Sequence, residues 1–120
     1  MKRFRESVWF SWQGLRLALV EQKNLRLHLT IALLVVSMGI LVHIALVEWY
    51  FIIICVGMVI SAELFNSAIE RVVDLLSPEW NKKAGDIRDA SAAAVLVLAI
   101  TAAIIGCLIV SKHLLPLLRV

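Results

Sequence analysis

Apolar positions recur every third or fourth residue from the start of the chain. Phe4, Val8, Trp12, Leu15 and Leu19 form one stripe, with Arg3, Arg5, Glu6, Gln13 and Arg16 filling the positions between. Trp9 and Phe10 widen the apolar side. This spacing predicts an amphipathic helix over 1–24, lying on a membrane surface with its aromatic rings at headgroup level. After it the pattern changes from a stripe to continuous runs. Leu29 to Val47 is interrupted only by Thr30, Ser37, Gly39 and His43. Glu48 breaks the run, and Trp49 and Tyr50 follow as an interfacial belt. A second apolar run from Phe51 to Ala62 continues in helical spacing through Leu76 and stops at Pro78. Residues 77–88, with Trp80 among them, read as a polar loop, and Ala90 to Val110 carries no charge. The expected elements are therefore a surface helix over 1–24 and membrane helices over 27–47, 49–76 and 88–111, in a single domain spanning 1–120.

Composition agrees with that class. The chain of 120 residues is 62% hydrophobic and 18% charged, against about 45–50% apolar and about 25% charged in soluble domains. Its mean hydropathy is +0.93. These values exclude a disordered chain, a disulfide scaffold and a multidomain enzyme. Cys55 and Cys107 both sit inside apolar runs and read as small buried hydrophobes. The first long apolar run starts too far in for a signal peptide, so no cleavable signal is expected.

The net charge of +3 is explained by topology. Lys2, Arg3, Arg5, Arg16, Lys23 and Arg26 precede the first span, and Arg71, Lys82, Lys83 and Arg88 fall between the second and third. Only Lys112 and Arg119 follow the third. Ten of the twelve basic residues thus lie on one side, which puts the N-terminus in the cytoplasm. Anionic lipid accounts for the basic character, and no nucleic-acid partner is expected. In the third span, Ala99/Ala103 and Ala102/Gly106 are small-xxx-small pairs that permit close helix approach, so oligomerisation is expected.

Candidate chemistry is concentrated between Glu63 and Asp74. With Glu63 at zero, Asn66 falls at about −60°, Ser67 at about +40°, Glu70 at about −20° and Asp74 at about +20° around a helix. Three carboxylic acids therefore share one narrow stripe that reaches membrane depth. Intramembrane carboxylates are costly, and like charges repel unless a cation or protons intervene. A divalent-metal or proton-transfer site near the cytoplasmic interface is one reading, and oxygen donors suit Mg²⁺. Ion pairs with Arg71, Arg88 or the N-terminal arginines are the other. Asp86, Arg88 and Asp89 form a second polar group, for which N-capping of the third span is a sufficient reading. His28, His43 and His113 have no partner at metal-ligand spacing and read as surface or packing residues. Walker A, GxGxxG and Ser-His-Asp patterns are absent from the sequence. Residue types and spacing alone give a membrane enzyme or transporter with an acidic cytoplasmic-face site.

The stretch Glu63-Leu-Phe-Asn-Ser-Ala-Ile-Glu-Arg-Val-Val-Asp74 resembles the signature of the small bacterial membrane diacylglycerol kinases, which include undecaprenol kinases. Ser11-Trp-Gln-Gly-Leu-Arg16, Asn24-Leu-Arg-Leu-His-Leu29 and Asp89-Ala-Ser-Ala-Ala-Ala-Val-Leu96 are similar to the family's surface helix and the entries to its first and third spans. The resemblance implies an all-α membrane protein, a homotrimer with shared active sites in the bacterial inner membrane. It implies phosphoryl transfer from ATP to a lipid hydroxyl, diacylglycerol or undecaprenol, with Mg²⁺. It implies Glu63 as general base and Glu70 as metal ligand, with Gln22 at the family's second metal position. Asn66, Asp74, Arg88 and Asp89 would serve the phosphates, and Ser11 and Arg16 the nucleotide. Two positions depart from the family pattern. Gln22 replaces a Glu and supplies no charge, and Arg88 replaces a Lys with a different shape and reach. A catalytically weak relative with a structural or lipid-binding role, or a small cation- or proton-coupled transporter, are the alternatives.

Overall fold

In a computed structural model, residues 1–79 and 81–116 are described; Trp80 of the expected loop and Arg119 of the expected outer side lie outside them. The described residues form four helices and no strand: α1 (Lys2–Glu21), α2 (Lys23–Leu41), α3 (Leu46–Leu76) and α4 (Lys82–Leu114). The last three are long and apolar enough to cross a membrane, and the protein is a membrane protein.

Helix length fixes what projects from the apolar layer. At 1.5 Å per residue, α2 is about 28 Å long and matches a hydrocarbon core of about 30 Å, whereas α3 and α4 reach about 46 and 50 Å. The C-terminal turns of α3 and the N-terminal turns of α4 therefore rise together beyond that layer. The two helices run antiparallel and form the principal packing pair. Ile44, Ile52 and Ile109 are buried together, with Val56 and Ile105 packed against them. Most other large apolar side chains of α2, α3 and α4 point outward, as lipid or a second subunit requires.

α2 ends earlier than the 47 expected. Val42 N–H donates to Met38 O, His43 N–H to Ile40 O at 3.3 Å and Ile44 N–H to Gly39 O at 3.1 Å. This is a Schellman turn, with His43 at φ 54° where glycine is usual. Gly39 makes it possible: a Cβ there would lie 3.0 Å from Ile44 Cδ1 and 3.1 Å from the Trp49 ring. Glu48 then does more than interrupt a span. Its carboxylate accepts the Ala45 N–H at 2.8 Å, capping α3. It also meets Lys112 Nζ at 2.7 Å and His113 Nε2 at 2.8 Å, fastening the start of α3 to the end of α4. His113 is thus a polar partner of Glu48 and not a packing residue.

α4 starts six residues before the expected 88, because Asn81 supplies the cap: its Oδ1 accepts the Lys83 N–H at 2.9 Å. Capping by Asp86 is therefore corrected; that residue stands inside the helix. At the other end of the chain, α1 and α2 meet at one extended residue, Gln22 (φ −93°, ψ 110°). Arg26 Nη1 donates to Leu19 O at 3.1 Å and Val20 O at 2.6 Å, closing the end of α1. Leu25 in this elbow is fully buried, and Ala18 in the last turns of α1 is buried as well.

Two substitutions test the α2–α3 turn by thermal unfolding in detergent micelles. Gly39→Val forces methyls into Ile44 and Trp49 and is expected to destabilise by about 1–3 kcal/mol. His43→Gly relieves the left-handed backbone and is expected to stabilise by up to about 1 kcal/mol.

Candidate functional site

The stripe predicted from the sequence lies on α3, facing α2 and α4. Glu63 is only 3% exposed although it carries an ionisable group. Helix periodicity turns it inward, and α2 meets it there: His28 Nε2 stands 3.1 Å from Glu63 Oε1. The histidine is therefore part of the constellation, a role that no spacing rule could reveal. The Ser67 hydroxyl is spent on the Glu63 backbone carbonyl at 2.9 Å and leaves the carboxylate alone.

One turn further, Asn66 joins α3 to α4. Its Nδ2 donates to Glu70 Oε1 at 3.1 Å, and its Oδ1 accepts from the Ser91 hydroxyl at 2.6 Å. Ser91 belongs to the small-residue entry of the third span and was not singled out as a site residue. Its Oγ also lies 2.9 Å from Arg88 O, so a single hydrogen faces two acceptors. The bonds leave one Glu70 carboxylate oxygen with no protein partner among the described residues.

At the outer end of the stripe Asp74 pairs with Arg88 across α3 and α4. Both are largely exposed, so the pair contributes little to stability, but it brings together two of the residues expected at the phosphates. Arg71 Nη2 pairs with Glu21 at 2.7 Å and ties the end of α1 to the Glu70–Arg71 turn. Gln22 follows Glu21 directly, half-buried at the elbow. The ion-pair reading of the acidic stretch thus holds for Asp74, whereas Glu70 is bonded only to an amide.

Three expected site residues are not gathered in by this chain. Ser11 is exposed on α1 and donates to Ser7 O within its own helix. Arg16 and Asp89 are exposed, with no ion pair to a described residue. Among the described residues no group of three or more His, Cys, Asp or Glu side chains is placed to hold a metal. Between α2, α3 and α4 runs an apolar cleft of about 500 Å³, with His28 at one end and Ser111 at the other.

Comparison with known proteins covers nearly the whole chain. The sequence profile of the prokaryotic diacylglycerol kinases matches residues 9–110. An undecaprenol kinase of Bacillus subtilis (strain 168) is 35% identical over 109 residues, 91% of this chain and 89% of the relative. A diacylglycerol kinase of Escherichia coli (strain K12) is 32% identical over 111 residues, 92% of this chain and 91% of the relative. A diacylglycerol kinase of Synechocystis is 31% identical, covering 93% of this chain and 65% of the relative.

The α3–α4 bridge can be tested directly. Ser91→Ala leaves the buried Asn66 carbonyl oxygen without its donor. The variant is expected to lose about 1–3 kcal/mol in a denaturation series, and Ser91→Thr, which keeps the hydroxyl, is expected to recover most of it.

Proposed function

Because the chain belongs to the prokaryotic diacylglycerol kinase family, and is accordingly a lipid kinase, we propose that it transfers the γ-phosphate of ATP to the hydroxyl of diacylglycerol or undecaprenol at the cytoplasmic face of the bacterial inner membrane. The observation that carries this reading is a buried carboxylate, Glu63, at the inner end of a row that continues through Asn66 and Glu70 to Asp74. The row leads from apolar depth to the exposed turns of α3 and α4. A lipid hydroxyl approaches from one end and a nucleotide from the other.

Glu63 is the general base. Its carboxylate takes the hydroxyl proton as the lipid oxygen bonds to the γ-phosphorus and the bond to the departing ADP oxygen breaks. Phosphoryl transfer depends mainly on positioning and charge neutralisation, so a few fixed side chains suffice without a Walker loop. Asn66 is held from both sides, by Ser91 and Glu70, and so presents a fixed amide to the phosphates. Arg88 supplies the cation, Asp74 orients it, and Asp89 lies one residue further on α4. The apolar cleft that begins at His28 takes part of the lipid tail.

The donor set fits Mg²⁺. Glu70 offers an unengaged carboxylate oxygen, and Gln22 at the elbow offers a neutral carbonyl. Mg²⁺ takes one or two carboxylates and otherwise keeps water and substrate phosphates. When bound, it neutralises charge on the ATP phosphates.

Ser11 and Arg16 on α1 complete the nucleotide side from a neighbouring subunit in a homotrimer. The outward apolar surface supports such an assembly, whereas the small residues Ala99, Ala102, Ala103 and Gly106 line the cleft between α2, α3 and α4. In the same arrangement α1 lies on the cytoplasmic membrane surface, with exposed Phe4, Trp9, Phe10 and Trp12 available to lipid.

Purified protein in mixed micelles, given radiolabelled MgATP with diacylglycerol or undecaprenol in separate reactions, is expected to label one of the two lipids. No transfer to either, from folded protein, would favour the catalytically weak relative. Glu63→Gln is expected to lower turnover by roughly 10²–10⁴-fold with no loss of stability. Gln22→Glu adds the missing charge and is expected to lower the Mg²⁺ concentration for half-maximal rate by about tenfold, equivalent to about 1.4 kcal/mol.

A further inference from the structure

We propose that His28 is a positioning residue for the phosphoryl-transfer step, holding the Glu63 carboxylate so that one oxygen faces the lipid hydroxyl. This inference rests on the reading of Glu63 as the base. Four observations carry it.

His28 Nε2 lies 3.1 Å from Glu63 Oε1, a close polar contact that a turn of the ring converts into a hydrogen bond. The Glu63 side chain is 4% exposed and His28 20%, so the contact forms at the edge of a nearly closed site. No other side chain of a described residue reaches that carboxylate. Asn66 is taken by Glu70 and Ser91, and Ser67 by a backbone carbonyl. Finally, His28 comes from α2, whereas the rest of the row comes from α3 and α4.

A carboxylate on a single helix retains rotation about its last bonds. In a site where bulk water does not solvate it, a donor from a second helix removes that freedom. A modest turn of the imidazole at its 3.1 Å contact aims Nε2–H at Oε1, which fixes the plane of the group and leaves Oε2 as the oxygen that meets the lipid hydroxyl. The same contact gives the buried carboxylate a polar partner. A misplacement of about 1 Å in such an arrangement costs on the order of a hundredfold in rate.

The contact also gives α2 a part in catalysis. α2 carries no other residue of the row. Through His28, a shift of α2 along α3 would be felt as a rotation of the base.

The test compares wild type with His28→Leu, His28→Gln and Glu63→Gln in the mixed-micelle assay, on the lipid that wild type phosphorylates. His28→Leu removes the donor at similar size. His28→Gln retains an N–H donor at similar reach but does not titrate. Expected are a fall in kcat of roughly ten- to a hundredfold for His28→Leu, with lipid KM within about twofold. His28→Gln is expected to restore at least a third of the wild-type kcat, roughly the recovery for a donor kept in place. Thermal unfolding of each variant separates loss of rate from loss of fold, and His28→Gln carries the test if His28→Leu is unstable. The proposal is overturned by a His28→Leu enzyme with wild-type kcat, by a loss confined to KM, or by a His28→Gln enzyme no better than His28→Leu. Full activity in Glu63→Gln would instead remove the underlying reading of the base, whatever the His28 variants do.

Discussion

Keeping an ionisable carboxylate at 3% exposure between apolar helices is the constraint on which the arrangement depends. Removing an isolated carboxylate from water costs several kcal/mol, and a single polar contact returns only part of that. The fold meets the cost locally, with one imidazole from α2 and a graded exit. From Glu63 outward, each acidic residue of the row is more exposed than the last, and its partner changes from His28 to an amide to a guanidinium. The charge is thus never stranded in the apolar layer. It becomes the buried end of a polar track that opens where α3 and α4 leave the membrane.

That track requires α3 and α4 to keep their register, and both ends of the pair are fastened. At one end Glu48 takes Lys112 and His113; at the other Asp74 takes Arg88. The separation from Glu48 to Asp74 along α3 is about 39 Å, and from Arg88 to Lys112 along α4 about 36 Å. Two antiparallel rods so matched cannot slide by a turn without breaking both sets of contacts. Two to three turns inward from the Asp74–Arg88 pair, Ser91 and Asn66 add a second hydrogen bond between the row and α4.

Much of this was legible in the sequence because it follows from local period. The apolar runs mark three spans, and a rotation of about 100° per residue puts Glu63, Asn66, Glu70 and Asp74 on one face. The Glu63–Asp74 signature also identified the family. What escaped depended on contacts between distant residues. His28 lies 35 positions before Glu63, and His113 lies 65 after Glu48, so spacing rules return nothing for either. Glu48 looked like a break because a charge ends an apolar run; its work as a cap and a clamp appears only when α4 returns beside it. The third span, α4, began late in the sequence reading because Lys82 and Lys83 look like loop. Asn81 shows why they are helical, since one side-chain oxygen satisfies an otherwise unpaired amide. For Ser11 and Arg16, the family motif was readable, but a single chain offers them no partner in the row.

The elbow at Gln22 has a mechanical meaning beyond its place in the row. One extended residue separates a helix of 20 residues from one of 19, and Arg26 has already satisfied the carbonyls that would otherwise bind that helix end elsewhere. The direction of α1 is therefore set by one pair of backbone torsions, the Arg26 bonds to Leu19 and Val20, and the Glu21–Arg71 tether. A lever about 30 Å long turned through about 10° moves its tip by about 5 Å. Natural variation at that one junction can retune the reach of the aromatic arm while the packed helices stay as they are, giving the fold a cheap axis along which to diverge.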